Sequence, residues 1–365
     1  ESIVVTRAAT SDEGALRSGE DLRHEIGALW GITRAFASLP GAVSTSDRTA
    51  NLSVRGGDPT ENLVRVDGVD IPSIGHMAWQ GETGGVVSLL SPSAVEDAEF
   101  HVGAFPARYG GRMSSVLDIR LREGRRGRVQ GSGEMSPAGV AGLLEGGFRH
   151  ARGSWIASYR AGLLDLVRRP AQLTAVPAYR DGHAKVSYDV SPNGRITAFA
   201  LVGSSRVDVT RAGADPTDAF ATTKRAAGAT WTHLHARGAR TRVTLSDVAS
   251  TYDAQAWDPP IREAAYTNAS TERRSGVEGA LDLGAGRDVA VTLGTQWHRV
   301  SFAHDIASRP WRGFSENAGR LLWLGRQQVD VERVGHRFTG YIEASHSPVR
   351  RLTLNLGLRA TRLTL

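Results

Sequence analysis

In residues 127–365, apolar side chains take every second position through successive segments of about ten residues, and a period of two specifies strands with one apolar and one polar face. Ser154 to Leu163 sets Trp155, Ala157, Tyr159, Ala161 and Leu163 against Ser154, Ser158 and Arg160. Arg351 to Thr361 sets Leu352, Leu354, Leu356 and Leu358 against Thr353, Asn355 and Arg359, and the stretches from Gly182, Gly276 and Arg337 repeat the pattern. About eleven strands follow from it: 127–136, 139–149, 153–163, 181–190, 195–209, 223–236, 240–253, 271–283, 288–302, 336–347 and 351–365. Apart from a short first hairpin at 137–138, their links alternate in length. Short turns fall at 150–152, 191–194, 237–239, 284–287 and 348–350, and long ones at 164–180, 210–222, 254–270 and 303–335. An up-and-down barrel with tight turns on one rim and long loops on the other produces this alternation, as outer-membrane barrels do. A soluble β-sandwich shares the alternation along each strand but has no reason to gather long loops at one end.

No window holds 18 uninterrupted apolar residues, so the sequence contains no helix able to cross a bilayer. Barrel strands escape that test because their two faces average to modest hydropathy. An eleven-stranded sheet left open in lipid would leave backbone groups unpaired along both edges. Such a sheet has to close on itself or be completed by further strands.

Cysteine is absent, which excludes disulfides, thiolate metal sites and a cysteine nucleophile. The net charge of +6 is spread along the chain. Its tightest basic run, Arg122 to Arg128, lacks interleaved aromatics and reads as a solvated linker, with no nucleic-acid partner. There is no Gly-x-Ser-x-Gly elbow, P-loop or His-Glu-x-x-His, so the chain is not expected to be an enzyme, and no cofactor or metal is expected. His233 and His235 stand two apart on a strand without a third ligand nearby in sequence, which fits a rim or lumen position. Trp231, Trp257, Trp297, Trp311 and Trp323 fit interface girdles or carbohydrate-facing loops.

Residues 1 to about 125 have a different texture, that of a mixed α/β domain. Leu16 to Leu39 carries a helical stretch with Leu22, Ile26, Leu29, Trp30, Thr33 and Phe36 on one face, ended by Pro40-Gly41. Short strands follow at 52–54, 63–66, 98–102 and 116–121. Three stretches in this region together resemble the plug of TonB-dependent outer-membrane transporters. Ile3-Val4-Val5-Thr6 resembles the TonB box, and a β-branched run at a free end suits strand addition to a partner's sheet edge. Leu52-Ser53-Val54-Arg55-Gly56-Gly57, followed by Asn62 to Val69 with its Asp67-Gly68 turn, resembles the strand–Arg-Gly–turn–strand–Asp-Gly-Val pattern. Val95 to Phe100, then Phe105-Pro106-Ala107-Arg108-Tyr109-Gly110-Gly111 and Ser114 to Ile119, resembles the last strands of the plug around a Tyr-Gly turn. Where many members carry Arg-Gly-Pro, this chain has Val102-Gly103-Ala104.

The resemblance implies a coupling segment (1–7), a plug (8–125) and the N-terminal half of an outer-membrane β-barrel (126–365) in a Gram-negative-type bacterium, a partial barrel with about 11 of an expected 22 strands. The implied function is uptake of a scarce ligand (siderophore, cobalamin, glycan or peptide), energised through TonB and its inner-membrane complex, with outer-membrane lipid around the wall. A ligand-sensing receptor of the same fold, and less so a passive porin or adhesin, are the alternatives. His76 and Trp79 on the apical loop 71–84, with Asp58 and Asn62 beside it, are the expected ligand contacts. Arg55, Gly56, Gly57, Asp67, Gly68, Tyr109 and Gly110 are expected to be structural, with Arg55 a buried guanidinium facing Glu134, Glu145 or Glu343.

Overall fold

The structure, a computed structural model, describes residues 14–24, 32–44, 50–85, 87–103, 105–136, 139–148, 152–163, 175–210, 216–258, 263–284, 289–309, 311–315, 320–324, 326–349 and 352–365. The TonB-box-like residues Ile3 to Thr6, and Ile26, Leu29 and Trp30, lie outside them.

The N-terminal part contains β1 (Gly14–Ser18), α1 (Gly19–His24), β2 (Ala42–Ser44), β3 (Leu52–Val54), β4 (Asn62–Val66), β5 (Val69–Ile71), β6 (Gly75–His76), β7 (Val87–Ser88), β8 (Val95–Val102) and β9 (Ser115–Leu121). The continuous helical face expected from Leu16 to Leu39 is instead divided. Leu16 belongs to β1, α1 is a helix of 6 residues, and Ile32–Phe36 is a 3-10 turn. The apolar spacing marked Leu22, Thr33 and Phe36, which are buried, while Ile32 and Ala35, outside the expected face, are buried too. It did not fix the backbone, because i, i+3 spacing serves a 3-10 turn as well as an α-helix. α1 starts where Ser18 and Asp21 cap each other: the Ser18 amide and hydroxyl both donate to Asp21 Oδ2 (3.1 and 2.8 Å), and the Asp21 amide donates to Ser18 Oγ (3.1 Å).

Five strands form one sheet in the order β1-β8-β9-β4-β5, in which β4 and β9 run parallel and the other neighbours antiparallel. The β4–β5 hairpin closes on Asp67 (φ +46°) and Gly68 (φ +83°), two successive left-handed residues whose twist matches the flanking strands. β2 pairs with β3 and β6 with β7 as small separate ribbons.

The remainder contributes β10 (Gln130–Ser136), β11 (Gly139–Gly147), β12 (Gly153–Gly162), β13 (Ala175–Ser191), β14 (Gly194–Thr210), β15 (Pro216–Leu234), β16 (Arg240–Asp258), β17 (Glu263–Gly284), β18 (Val289–Ser308), β19 (Trp311–Ser315), β20 (Arg320–Leu324), β21 (Gln327–Val349) and β22 (Leu352–Thr364). β19 and β20 form a side hairpin. The other eleven make one antiparallel sheet in chain order from β10 to β22, with those two strands at its ends and not joined to each other.

Which side chains face which way decides the environment of this sheet. Tyr159, Val186, Tyr188, Ile196, Val202, Leu245, Val277, Leu293 and Ile342 are exposed, whereas Arg160, Asp181, His183, Lys185, Ser187, Ser205, Thr222, Lys224, Gln296 and His298, on the opposite face, are buried. The wall is apolar outside and polar inside, the reverse of a soluble sheet. Among the described residues no helix is long and apolar enough to cross a membrane, which leaves spanning by strands untouched.

Strand length departs from the sequence expectation. β13 to β18 run for 17 to 22 residues, whereas about ten tilted residues cross a bilayer. Much of the expected links 210–222 and 254–270 is therefore strand. Beyond the apolar belt both faces of a strand are polar, so the period-two contrast fades while backbone pairing continues.

Candidate functional site

The N-terminal part sits against the polar face of the wall, and the site is the surface where they meet. One apolar core spans both. Val64, Val66, Val69, Ile71, Leu89, Phe100 and Ile119 cluster with Phe199, Leu201, Ala226 and Val248 of the wall. Two wall glycines make room for it. A Cβ on Gly203 would lie 2.1 Å from Leu89 Cδ2, and one on Gly228 would lie 2.7 Å from Val69 Cγ2.

Around this seam lie charged contacts. Asp67, at the hairpin tip, accepts from the Leu121 amide (3.0 Å) and pairs with Lys185 of β13 (2.9 Å), and Lys185 also donates to the Leu121 carbonyl (2.6 Å). Burial pushes the Asp67 carboxyl above its usual range, and the Lys185 ammonium opposes this. Arg65 pairs with Asp70 (3.3 Å) and with Glu278 of β17, and also donates to the Gly68 carbonyl. Burial works against its charge, but Glu278 and Asp70 outweigh burial and hold the guanidinium charged. Arg274 of β17 reaches the Asp70 backbone. Nearer the rim of short turns, Arg122 donates to Glu145 (2.6 Å), and Arg359 bonds the carbonyls of Ala107 (2.9 Å) and Arg108 (3.0 Å).

The loop 71–85 forms the apex. His76 is 1% exposed, and its Nε2 lies 3.0 Å from Asp181 Oδ2. Asp181 in turn accepts from Arg160 at 2.9 and 3.0 Å. Burial lowers the His76 imidazole below its usual value, with Asp181 pulling the other way. Lys224 donates to Ser73 Oγ (2.9 Å) and the Gly75 carbonyl (2.7 Å), and the Met77 amide donates to Ser205 Oγ (3.0 Å). At the tip, Trp79 is 50% exposed and lies against Phe220 with ring centroids 4.5 Å apart. Gln80 donates to Glu272 (2.8 Å) and accepts from Asn268 (3.0 Å), while His304 Nε2 lies 3.2 Å from Glu272. Trp79, Gln80, Asn268, Glu272 and His304 thus form a polar, aromatic-edged surface at the side of the longer links.

The residues expected from sequence fall into distinct places. Trp79 stands at the open tip, whereas His76 is held inside the seam. Asp58 caps the 3-10 turn Pro59–Glu61, its Oδ1 accepting from the Thr60 amide (2.8 Å) and hydroxyl (2.6 Å), and these bonds lower its pKa. Asn62 is buried between the Leu52 carbonyl (2.6 Å) and the Ser115 hydroxyl (2.7 Å). Gly56 takes φ +80°, and a Cβ on Gly57 would meet Ser114 Oγ at 1.9 Å. The Tyr109 hydroxyl donates to Asp118 (2.7 Å), while a Cβ on Gly110 would strike the Arg359 guanidinium at 2.4 Å.

Arg55 differs from the expectation. It is exposed, at φ +50° in a turn. The carboxylates foreseen for it are engaged elsewhere: Glu145 by Arg122, and Glu343 by Arg108 (3.4 Å), while Glu134 is exposed on β10. The buried guanidinium is that of Arg65, which sits mid-strand between carboxylates, where a turn residue such as Arg55 cannot reach. His235 lies beyond the end of β15, bonded to Thr241 (2.7 Å), and among the described residues no three His, Asp or Glu gather as metal ligands. Trp231 and Trp297 are exposed on the outer face, and the side chains of Trp257, Trp311 and Trp323 lie outside those described. Asp181, Arg160, Lys185 and Lys224 were missed. The only signal for them in the sequence was a charged side chain at a polar-face position.

Comparison with known proteins places this geometry. Residues 20–115 match the family model of the TonB-dependent Receptor Plug Domain. No curated protein sequence matches. The siderophore receptor PirA from Pseudomonas aeruginosa superposes with a TM-score of 0.68 at 17% identity, over 97% of this chain and 57% of that one. A mutant of the ferric enterobactin receptor PfeA from the same organism gives 0.69 at 14% identity, over 97% and 58%. The copper transporter OprC gives 0.67 at 13%, over 99% and 56%. The chain thus spans 57% of the length of the first of these structures.

Proposed function

From a chain that carries a TonB-dependent receptor plug domain, docked on an eleven-stranded antiparallel sheet with the fold of those receptors, we propose TonB-dependent uptake of a scarce ligand across the outer membrane of a Gram-negative-type bacterium. The observation that carries this reading is the seating of the plug. It rests on the polar face of an otherwise lipid-type wall through the pairs His76–Asp181, Arg65–Glu278 and Asp67–Lys185. The polar contacts of such a seat cost little to release, because each freed group finds water in the opened path.

Ligand is taken at the apex by Trp79 and Gln80 of the plug with Asn268, Glu272 and His304 of the wall. Residues 1–7, with Ile3, Val4, Val5 and Thr6 at their centre, pair with TonB as an added strand. The inner-membrane complex then supplies the pull. Siderophore complexes are the leading ligand class, since PirA and PfeA bear such ligands in their descriptions and share this fold.

The test is deletion of residues 1–7 in the whole protein expressed in an outer membrane, followed by binding and uptake of radiolabelled ferric siderophores, cobalamin, glycans and peptides. Binding should persist while uptake of the bound compound falls to the level of cells lacking TonB. Retained uptake would refute the coupling. Binding without uptake by the intact protein would favour a sensing receptor.

A further inference from the structure

A cavity of about 40 Å³ lies in the seam between plug and wall and shares no residue with the apical surface. Its plug side is Asp70 of β5 and the turn Gly110-Gly111-Arg112, and its wall side is Arg274 of β17 and Arg337 of β21. Gly111 takes φ +75°, and a Cβ there would lie 3.4 Å from Arg337 Nη1, so the wall guanidinium sits close over the plug's turn. Arg112, Arg274 and Arg337 all border this space, and each is within electrostatic reach of the other two.

The carboxylates beside them are already engaged. Glu278 pairs with Arg65 and lies 3.3 Å from His298 Nε2. Asp70 is shared between Arg65 (3.3 Å) and Arg274 (3.6 Å). Arg337 is left with His298 Nδ1 at 3.4 Å, and its Nε is buried with no hydrogen-bond partner. Arg112 donates to the carbonyl of its neighbour Gly111 (3.1 Å). Among the described residues neither Arg112 nor Arg337 forms an ion pair. A guanidinium cannot shed its proton to relieve such crowding, so charge of one sign held at a seam is offset by an ion of the other. The cavity has room for about three waters, more than a halide fills and enough for a tetrahedral oxyanion. The planar fork of arginine meets two oxygens of such an ion at once.

We propose that this cavity binds one small tetrahedral oxyanion, of the sulfate or phosphate type, which bridges Arg112 of the plug to Arg274 and Arg337 of the wall. An ion placed there fastens the plug by a contact that exchanges with the medium, unlike the fixed pairs Asp67–Lys185 and Arg65–Glu278. The inference concerns the seam alone and does not depend on uptake or on the coupling segment.

The experiment uses the whole protein in detergent micelles near neutral pH. Sodium chloride is replaced stepwise by sodium sulfate, and separately by sodium phosphate, at constant ionic strength. Hydrogen exchange is followed across residues 105–115 of the plug and 240–250 of the wall. Protection of 105–115 should rise saturably, by about tenfold at roughly ten times the dissociation constant, while 240–250 stays level. Arg112→Gln and Arg337→Gln should each abolish the rise, and Arg337→Lys should keep part of it. Arg112 is exposed on a turn, so its variant folds whatever the strand variants do. A flat response of the wild-type protein to both anions, or an undiminished rise in Arg112→Gln, overturns the oxyanion site. A rise shared equally by the two segments is exclusion of salt from the whole surface and overturns it as well.

Discussion

His76 of the plug and Asp181 of the wall meet at 3.0 Å, and the same carboxylate holds Arg160 of the adjoining strand. Because burial keeps the docked imidazole below its ordinary value of 6.5, an undocked apex takes up a proton first as pH falls. The docking that His76 contributes is therefore complete above about pH 6.5 and is lost as pH drops from there through the docked value. Protection factors for hydrogen exchange across residues 73–85 should fall on acidification, and His76→Gln should remove that dependence. Asp181→Ala strips the carboxylate from Arg160 as well and should loosen the apex by roughly 3–5 kcal/mol.

Arg65 and Arg55 should behave oppositely. Removing Arg65 leaves Glu278 buried without its nearest cation, which costs roughly 3–5 kcal/mol of plug docking. Removing the exposed Arg55 should change stability by about 0.5 kcal/mol or less. Proteolysis of the intact protein under mild urea reads both, with Arg65→Ala opening at lower denaturant and Arg55→Ala tracking wild type.

Gly84 is a tight backbone crossing. A Cβ there would lie 2.3 Å from the Ala50 carbonyl carbon and 2.5 Å from the Asn51 amide nitrogen. Main chain cannot rotate aside as a side chain can, so Gly84→Ala should displace the apical loop and cost about 1–3 kcal/mol. Thermal melts will show the loss. Gly127→Ala, with nothing within 4 Å of its Cβ, is the control.

Trp79→Ala should weaken ligand binding about tenfold by removing the half-exposed ring at the tip. The variant should keep its melting temperature within a few degrees, because that ring packs chiefly on Phe220. Unaltered affinity in a titration with the transported compound would dismiss Trp79 as a contact.

The strand count was legible because an apolar outer face and a polar inner one impose period two on residues such as Leu352 to Leu358. Above the belt that contrast disappears, which is why 216–222 and 263–270 read as loops and are strands. The Asp67-Gly68 turn was legible because only certain residues tolerate its dihedrals. The partners Lys185 and Asp181 were not, since they meet the plug across more than a hundred residues and look like any lumen-facing charge. Arg55 misled because its motif sits at a turn, whereas burial is decided by strand pairing, and Arg65 lies within β4.

The apolar core shared by Val69, Leu89, Phe199 and Leu201 bears on how opening proceeds. Dispersion contacts vanish within an ångström or two of separation, so traction on the N-terminus meets stiff resistance and then very little. Displacement of the plug should be a threshold event, recorded in single-molecule pulling as discrete rips and not as a smooth creep. Under the proposed coupling, sudden yielding of that kind would hold the N-terminal part in place against idle fluctuations and release it to one sustained tug.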